Sequence, residues 1–148
     1  MKIIKIENSD NNLEKDIIEF LKKIDSLFKI PLSQKINLEE YSKKIISNAD
    51  IFLAFDSESI VGIVVGYNND KELKISNMSI LVVLNEYQGK GIARKLVNNF
   101  LNLAKNKKME KVKLSTVDAR ALKLYESLNF KIVREENEVY YLEKILGE

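Results

Sequence analysis

Apolar residues recur along this chain with two periods, and the switches between them lay out its elements. Residues 2–7 alternate apolar and polar, as a strand with two unlike faces does. Leu13, Ile17, Ile18, Phe20, Leu21 and Ile24 keep helical spacing and predict a first helix over about residues 12–25. An apolar loop broken by Pro31 follows over residues 26–36. Asn37 with Glu40 three positions on is a capping-box pattern, opening a second helix that runs to about Asn48. The texture then changes. Ile51–Phe55 and Ile60–Tyr67 are continuous apolar runs joined by Asp56-Ser57-Glu58-Ser59, a hairpin signal. A strand over about 73–84, a long helix over about 90–106 and a strand over 112–117 come next. Asp118 caps a helix to about Ser127, Asn129 suits a left-handed residue after it, and strands over about 130–135 and 138–145 end the chain. Hairpin strands followed by a strand–helix–strand crossover predict an α/β fold, a mixed sheet with helices on its faces.

Composition narrows the chemistry more than the fold. The chain has 148 residues, expected to form a single domain over 1–148, with 45% hydrophobic and 31% charged residues. It contains no Cys and no His, which excludes disulfides, thiolate nucleophiles, zinc fingers and histidine-based triads together. No metal is expected. Basic and acidic residues nearly balance at 24 and 22, and Arg occurs only at positions 94, 120 and 134. Nucleic acid is therefore not an expected partner, since bidentate arginine readout has little to work with. Lys105, Lys107 and Lys108 read as complements to a helix C-terminus rather than as a binding patch. Met1–Lys5 does not read as a signal peptide, and no apolar run approaches the roughly 20 residues of a membrane span. The expectation is a cytoplasmic protein without a membrane partner.

Residues 88–94, Gln-Gly-Lys-Gly-Ile-Ala-Arg, carry the strongest chemical signal. They join the β-branched run Ile80–Leu84 to a helical pattern of Ala93, Leu96, Val97, Phe100, Leu101 and Ala104. A strand passing through two glycines into a helix gathers free amide donors at the positive end of the helix dipole, a place for phosphate or pyrophosphate. Taken alone, the same Gly-x-Gly is equally well a tight structural turn. Its spacing fits neither the dinucleotide fingerprint nor the P-loop.

With its surroundings, this segment resembles motif A of the GNAT (Gcn5-related) N-acetyltransferases. Gln88-Gly89-Lys90-Gly91-Ile92-Ala93 matches Gln/Arg-x-x-Gly-x-Gly/Ala at every fixed position, and Val83-Leu84-Asn85-Glu86-Tyr87 stands where the family reads Val-x-Pro-x-Tyr. Asp118 to Phe130 is similar to the family's Asn-x-x-Ala-x-x-Leu-Tyr-x-x-x-Gly-Phe. The departures are Asp118 for the Asn, which gives up an amide donor, and Asn129 for the Gly, which keeps the left-handed option. The resemblance spans nearly the whole chain. It implies a mostly antiparallel sheet of about six or seven strands, splayed between the fourth and fifth, with about four helices.

The same resemblance implies acetyl-CoA as co-substrate. Gln88, Gly89, Lys90, Gly91, Ile92, Ala93 and Arg94 would cradle the pyrophosphate through backbone amides, and the edge of the fourth strand at Leu81, Val82 and Val83 would pair with pantetheine as an added strand. Asp118 and Tyr125 complete the expected cofactor contacts. Tyr125 stands where the family places the acid that protonates the departing thiolate; the alternative is a helix tyrosine packed on the sheet, as Leu122 and Leu128 are. Relatives often take the amine's proton with a Glu on the fourth or fifth strand, but those positions hold Asn77 and Lys113. The proton then leaves through water, Tyr87, Asp118 or Glu72, or the amine has a low pKa and needs no base. Phe28, Ile30, Pro31 and Leu32 either wall an acceptor pocket or plug the core, with the core role favoured.

Two function classes follow. One is an N-acetyltransferase acting on a small-molecule or peptide primary amine by direct attack in a ternary complex. The other is a non-catalytic acyl-CoA-binding or regulatory module, favoured by the missing carboxylates. A monomer and a homodimer paired through the final hairpin at Tyr140 and Tyr141 are both compatible with the sequence.

Overall fold

The computed structural model describes residues 1–7, 13–28, 31–34 and 36–147. Its elements in chain order are β1 (Lys2–Lys5), α1 (Glu14–Ile24), α2 (Leu38–Asn48), β2 (Asp50–Asp56), β3 (Ser59–Tyr67), β4 (Ile75–Val83), α3 (Ile92–Asn106), β5 (Lys111–Thr116), α4 (Leu122–Ser127), β6 (Lys131–Glu136) and β7 (Val139–Ile145), with short 3₁₀ turns between several of them. This is the order the periodicity predicts. Boundaries move where local chemistry intervenes. Residue 12, the expected start of the first helix, lies outside the described residues. The third hairpin strand begins at Ile75 and not at 73, because Asp70 organises a turn before it: its carboxylate accepts from the Leu73 amide at 3.0 Å and its carbonyl from the Lys74 amide at 2.9 Å. The segment after Asp118 is a 3₁₀ turn over Ala119–Ala121 and then six residues of α4, not one helix.

The seven strands form one sheet in the order β1-β2-β3-β4-β5-β7-β6. Every neighbouring pair is antiparallel except β4 and β5. The crossovers β4-α3-β5 and β5-α4-β6 advance across the sheet in the same direction, so right-handed connections put both helices on one face. A hydrogen bond of 2.9 Å from the Arg94 guanidinium to the Ser127 hydroxyl joins them there. The other face of β2–β4 carries α2, with α1 packed on it. Successive residues of β3 show the division. Gly66 lies against the Phe100 ring of α3, where an added Cβ would meet ring carbons at 2.4 Å, whereas Tyr67 faces Tyr41 of α2.

One core results. Ile17, Leu21, Ile24 and Ile45 from α1 and α2 and Leu96, Val97 and Phe100 from α3 are fully buried against Leu53, Ile63, Val64 and Val65. Phe28 packs partly buried on this core, so the core role expected for that loop holds for it. Ile30 and the Leu32 side chain fall outside the described residues. At the end of the sheet where α3 finishes, buried Asp50 accepts from Asn68 Nδ2 at 2.9 Å and from Lys107 Nζ at 3.1 Å, and Ser76 hydrogen-bonds Asn68. A polar chain satisfied in this way locks β2, β4 and the α3 terminus together. Among the described residues, no helix is long and apolar enough to cross a membrane, and no cluster of acidic side chains is arranged to hold a metal ion.

Candidate active site

β4 and β5 pair only over Ile75–Asn77 and Lys111–Lys113. Beyond Asn77, β4 keeps its bonds to β3, with Leu81, Val82 and Val83 opposite Val64, Ile63 and Gly62, while Leu114 to Thr116 of β5 pair with β7 alone. The two strands therefore part in the middle of the sheet. The β5-facing edge of Leu81–Val83 is left as an unpaired strand edge, able to accept an extended chain as an extra strand.

At the open end of this gap, β4 runs through a 3₁₀ turn (Asn85–Tyr87) into the glycine segment. Gly89 has φ +79° and Gly91 φ +81°, and no neighbouring atom lies within 4 Å of where a Cβ would stand on either. The left-handed turns delay α3 to Ile92, two residues later than its periodicity suggests. The helical ladder begins with the Lys95 amide donating to the Gly91 carbonyl at 3.1 Å, so the amides of Ile92, Ala93 and Arg94 precede it. No side chain caps this terminus among the described residues. The result is a bare, glycine-lined positive pole facing open space.

The side chains of the motif do other work. Gln88 Nε2 donates to the Val83 carbonyl at 3.0 Å and to Asn85 Oδ1 at 3.2 Å, pinning the turn to the end of β4. Lys90 Nζ sits over the Tyr87 ring, 5.3 Å from its centroid, and Ile92 is buried as the helix's anchor in the core. Arg94 spans to Ser127, as described above. What the segment offers an anion is mainly backbone.

Tyr125 is brought to the same region on α4. It is 6% exposed, and its ring meets Phe130 edge to face at 5.6 Å. Burial, with the Asp118 charge second, pushes its phenol up to about 12. No described side-chain polar atom is both sealed from solvent and without a partner, and the Tyr125 hydroxyl makes no hydrogen bond among the described residues. Its oxygen therefore retains some exposure while its ring is packed. Asp118 caps the 3₁₀ turn through the Arg120 amide at 2.9 Å, and its carboxylate forks onto the Arg120 guanidinium at 3.1 Å on both oxygens.

The other proton routes fare less well. The Tyr87 hydroxyl donates to Asp56 at 2.6 Å, a bond that raises its pKa and holds the proton on the phenol. Glu72 lies exposed in the turn before β4, at the end where β4 and β5 are still joined. Asn77 and Lys113 sit side by side in the parallel register, the last pair before the strands part.

Sequence reasoning missed a feature between them and the edge. Val65 faces Ile80 but Gly66 faces Met78, so Ser79 is the extra residue of a β-bulge, with its hydroxyl donating to the Val65 carbonyl at 3.2 Å. Tyr41 and Tyr67 gather beside Ser79, and burial raises the pKa of both phenols. A bulge has no one-dimensional signature here. Tyr41 does carry a signal that could have found it, an aromatic one turn from Leu38 and Ile45 on the buried side of α2.

A bare helix terminus beside parted strands, with a packed tyrosine at the gap, is the arrangement the sequence resemblance implies. The family model described as an acetyltransferase (GNAT) domain matches residues 47–132, more than half of the chain, including the β4 edge, the glycine turn and Tyr125. The chain belongs to the GNAT acetyltransferase family. Solved structures agree on the fold. An aminoglycoside 6′-acetyltransferase of type Ii superposes on this GNAT domain with a TM-score of 0.79 at 17% identity, over 98% of this chain and 97% of that one. An aminoglycoside 6′-N-acetyltransferase complexed with coenzyme A gives 0.79 at 14% identity, with 98% and 97% covered. A GNAT-family acetyltransferase from Staphylococcus aureus gives 0.77 at 19% identity, with 98% and 99% covered. No curated protein matches the sequence.

Proposed function

We propose that residues 1–148 form one domain that transfers the acetyl group of acetyl-CoA to a primary amine, without a covalent acetyl-enzyme. The parting of β4 from β5 beside the glycine-lined terminus of α3 carries this reading. The amides of residues 89–94 would hold the pyrophosphate, and the free edge of Leu81–Val83 the pantetheine. The backbone of the bulge at Ser79, which has no register partner on β3, would donate to the carbonyl oxygen that gains charge as the amine attacks. The amine nitrogen bonds to the acetyl carbon, the C–S bond breaks, and the Tyr125 hydroxyl gives its proton to the sulfur. Water takes the proton shed by the amine and supplies another to the Tyr125 phenolate. A phenol near 12 stays protonated throughout the physiological range, so the donor is always loaded. The cost is an uphill transfer to a thiolate of lower basicity, which close contact and exclusion of water must offset. Chain composition supports the direct route, since no Cys or His is present to accept an acyl group.

The test is calorimetric titration with acetyl-CoA followed by thiol release against a panel of amines. Saturable binding and amine-dependent thiol release support the proposal; no binding sinks it. A second reading, an acyl-CoA-binding regulator working in the cytoplasm without catalysis, is favoured by Asn77 and Lys113 standing where a carboxylate would serve. Tight binding with no turnover on any amine would select it.

A further inference from the structure

Beyond the gap, one face of the second half of the sheet is open. The register sets Asn77 beside Lys113, Lys113 beside Glu143, and Glu143 beside Lys131. Side chains paired in register share a face, and Asn77, next to Met78 but on the side of Tyr67, identifies it as the face away from α3 and α4. Lys111 belongs to the same face and binds Glu143 Oε1 at 3.0 Å. Further along, Arg134 stacks over the Tyr141 ring at 4.0 Å and approaches Glu136 at 3.6 Å. Among the described residues of β5–β7, Lys111, Lys113, Lys131 and Arg134 thus share this face with the carboxylates of Glu143 and Glu136 alone. Lys113 and Ser115 are exposed on it. Among the described residues, no carboxylate lies within ion-pair distance of Lys113.

That cation stands at the closed end of the gap, where the strands begin to part, paired in register with Asn77, which lies two residues before the bulge at Ser79. An acceptor approaching with a second positive charge would meet repulsion here, and a neutral one would leave Lys113 unused. The geometry points to an acceptor amine that also carries an anionic group, a carboxylate or a phosphate, with Lys113 as the residue that holds it. This assignment rests on the acetyl-transfer reading and names its substrate class. The carbonyl side of the reaction is untouched by it: Lys113 positions the acceptor and takes no part in bond making.

Matched amines test it at low salt: ethanolamine against O-phosphoethanolamine, and 1,4-diaminobutane against 4-aminobutyrate. In the unaltered protein the anionic member of each pair should show a kcat/KM higher by about tenfold, the scale of one charge-assisted contact. Lys113→Gln should erase most of that preference through KM, with kcat within about twofold and acetyl-CoA affinity unchanged. Equal or reversed preference in the unaltered protein overturns the assignment, as does an equal loss on both members in the variant. Acetyl-CoA binding with none of the four amines acetylated overturns it too. Failure to bind acetyl-CoA at all would instead bring down the parent reading, and this one with it.

Discussion

The two arms of the sheet obey different rules. β2 and β3 lie between α2 on one side and α3 on the other, and every residue from Asp50 to Ala54 and from Val61 to Gly66 is buried. Their sequences are accordingly unbroken apolar runs. β5 buries only alternate residues, and β6 is exposed along its whole length. Its arm is covered on one face alone, so Lys111-Val112-Lys113-Leu114 alternates charge with aliphatic. Stability is concentrated in the first arm, leaving the second free to carry charge. The proposed site lies along the seam, drawing on the rigid edge of one arm and the open face of the other.

Substitutions on the two arms should separate these roles. The largest effect is expected in the covered arm. Phe100→Ala empties a fully buried ring site and should cost about 4 kcal/mol in denaturant unfolding. Gly66→Ala forces a Cβ into that same ring and onto the Asn77 carbonyl at 2.7 Å, and should cost about 2–3 kcal/mol. Ser115→Ala on the open face should move stability by less than about 0.5 kcal/mol. Comparable losses at Phe100 and Ser115 would erase the distinction between the arms.

At the seam, Tyr125→Phe should keep acetyl-CoA affinity and the ring packing on Phe130 while lowering kcat by about 100-fold. Unchanged turnover in a thiol-release assay would return Tyr125 to a packing role. Gly91→Ala meets no steric obstacle but must hold φ +81°, so it should cost about 1–2 kcal/mol. Its acetyl-CoA affinity, read by calorimetry, should fall as the turn relaxes. The smallest change is Asp118→Asn, which keeps a good cap. It removes a charge that raises the Tyr125 pKa. If Tyr125 is the proposed acid, activity needs the protonated phenol and is lost as pH rises through its pKa, so this variant's alkaline limb should lie at lower pH than the parent's, with stability nearly unaltered.

Much of the proposed cofactor side was legible because it depends on local chemistry. Gly89 and Gly91 mark left-handed backbone that other residues resist, and the apolar spacing of Leu96, Val97 and Phe100 marks the helix behind them. The acceptor half was not. Nothing near Ser79 announces a bulge, and nothing in Lys113 or Glu143 tells that they are neighbours. Tyr87 was a candidate proton carrier until Asp56, 31 positions away, took its hydroxyl.

Element order, the glycine turn and the family follow from residues within a few positions of one another, since period, capping and φ preference are short-range effects. The gap between β4 and β5, the free strand edge and the charged face depend on which strands meet and in what register. The β4–β5 pairing joins residues 36 positions apart, and it and its neighbours run through backbone bonds common to every residue, so side-chain identity alone does not encode them. Only the folded sheet decides where the strands stop pairing.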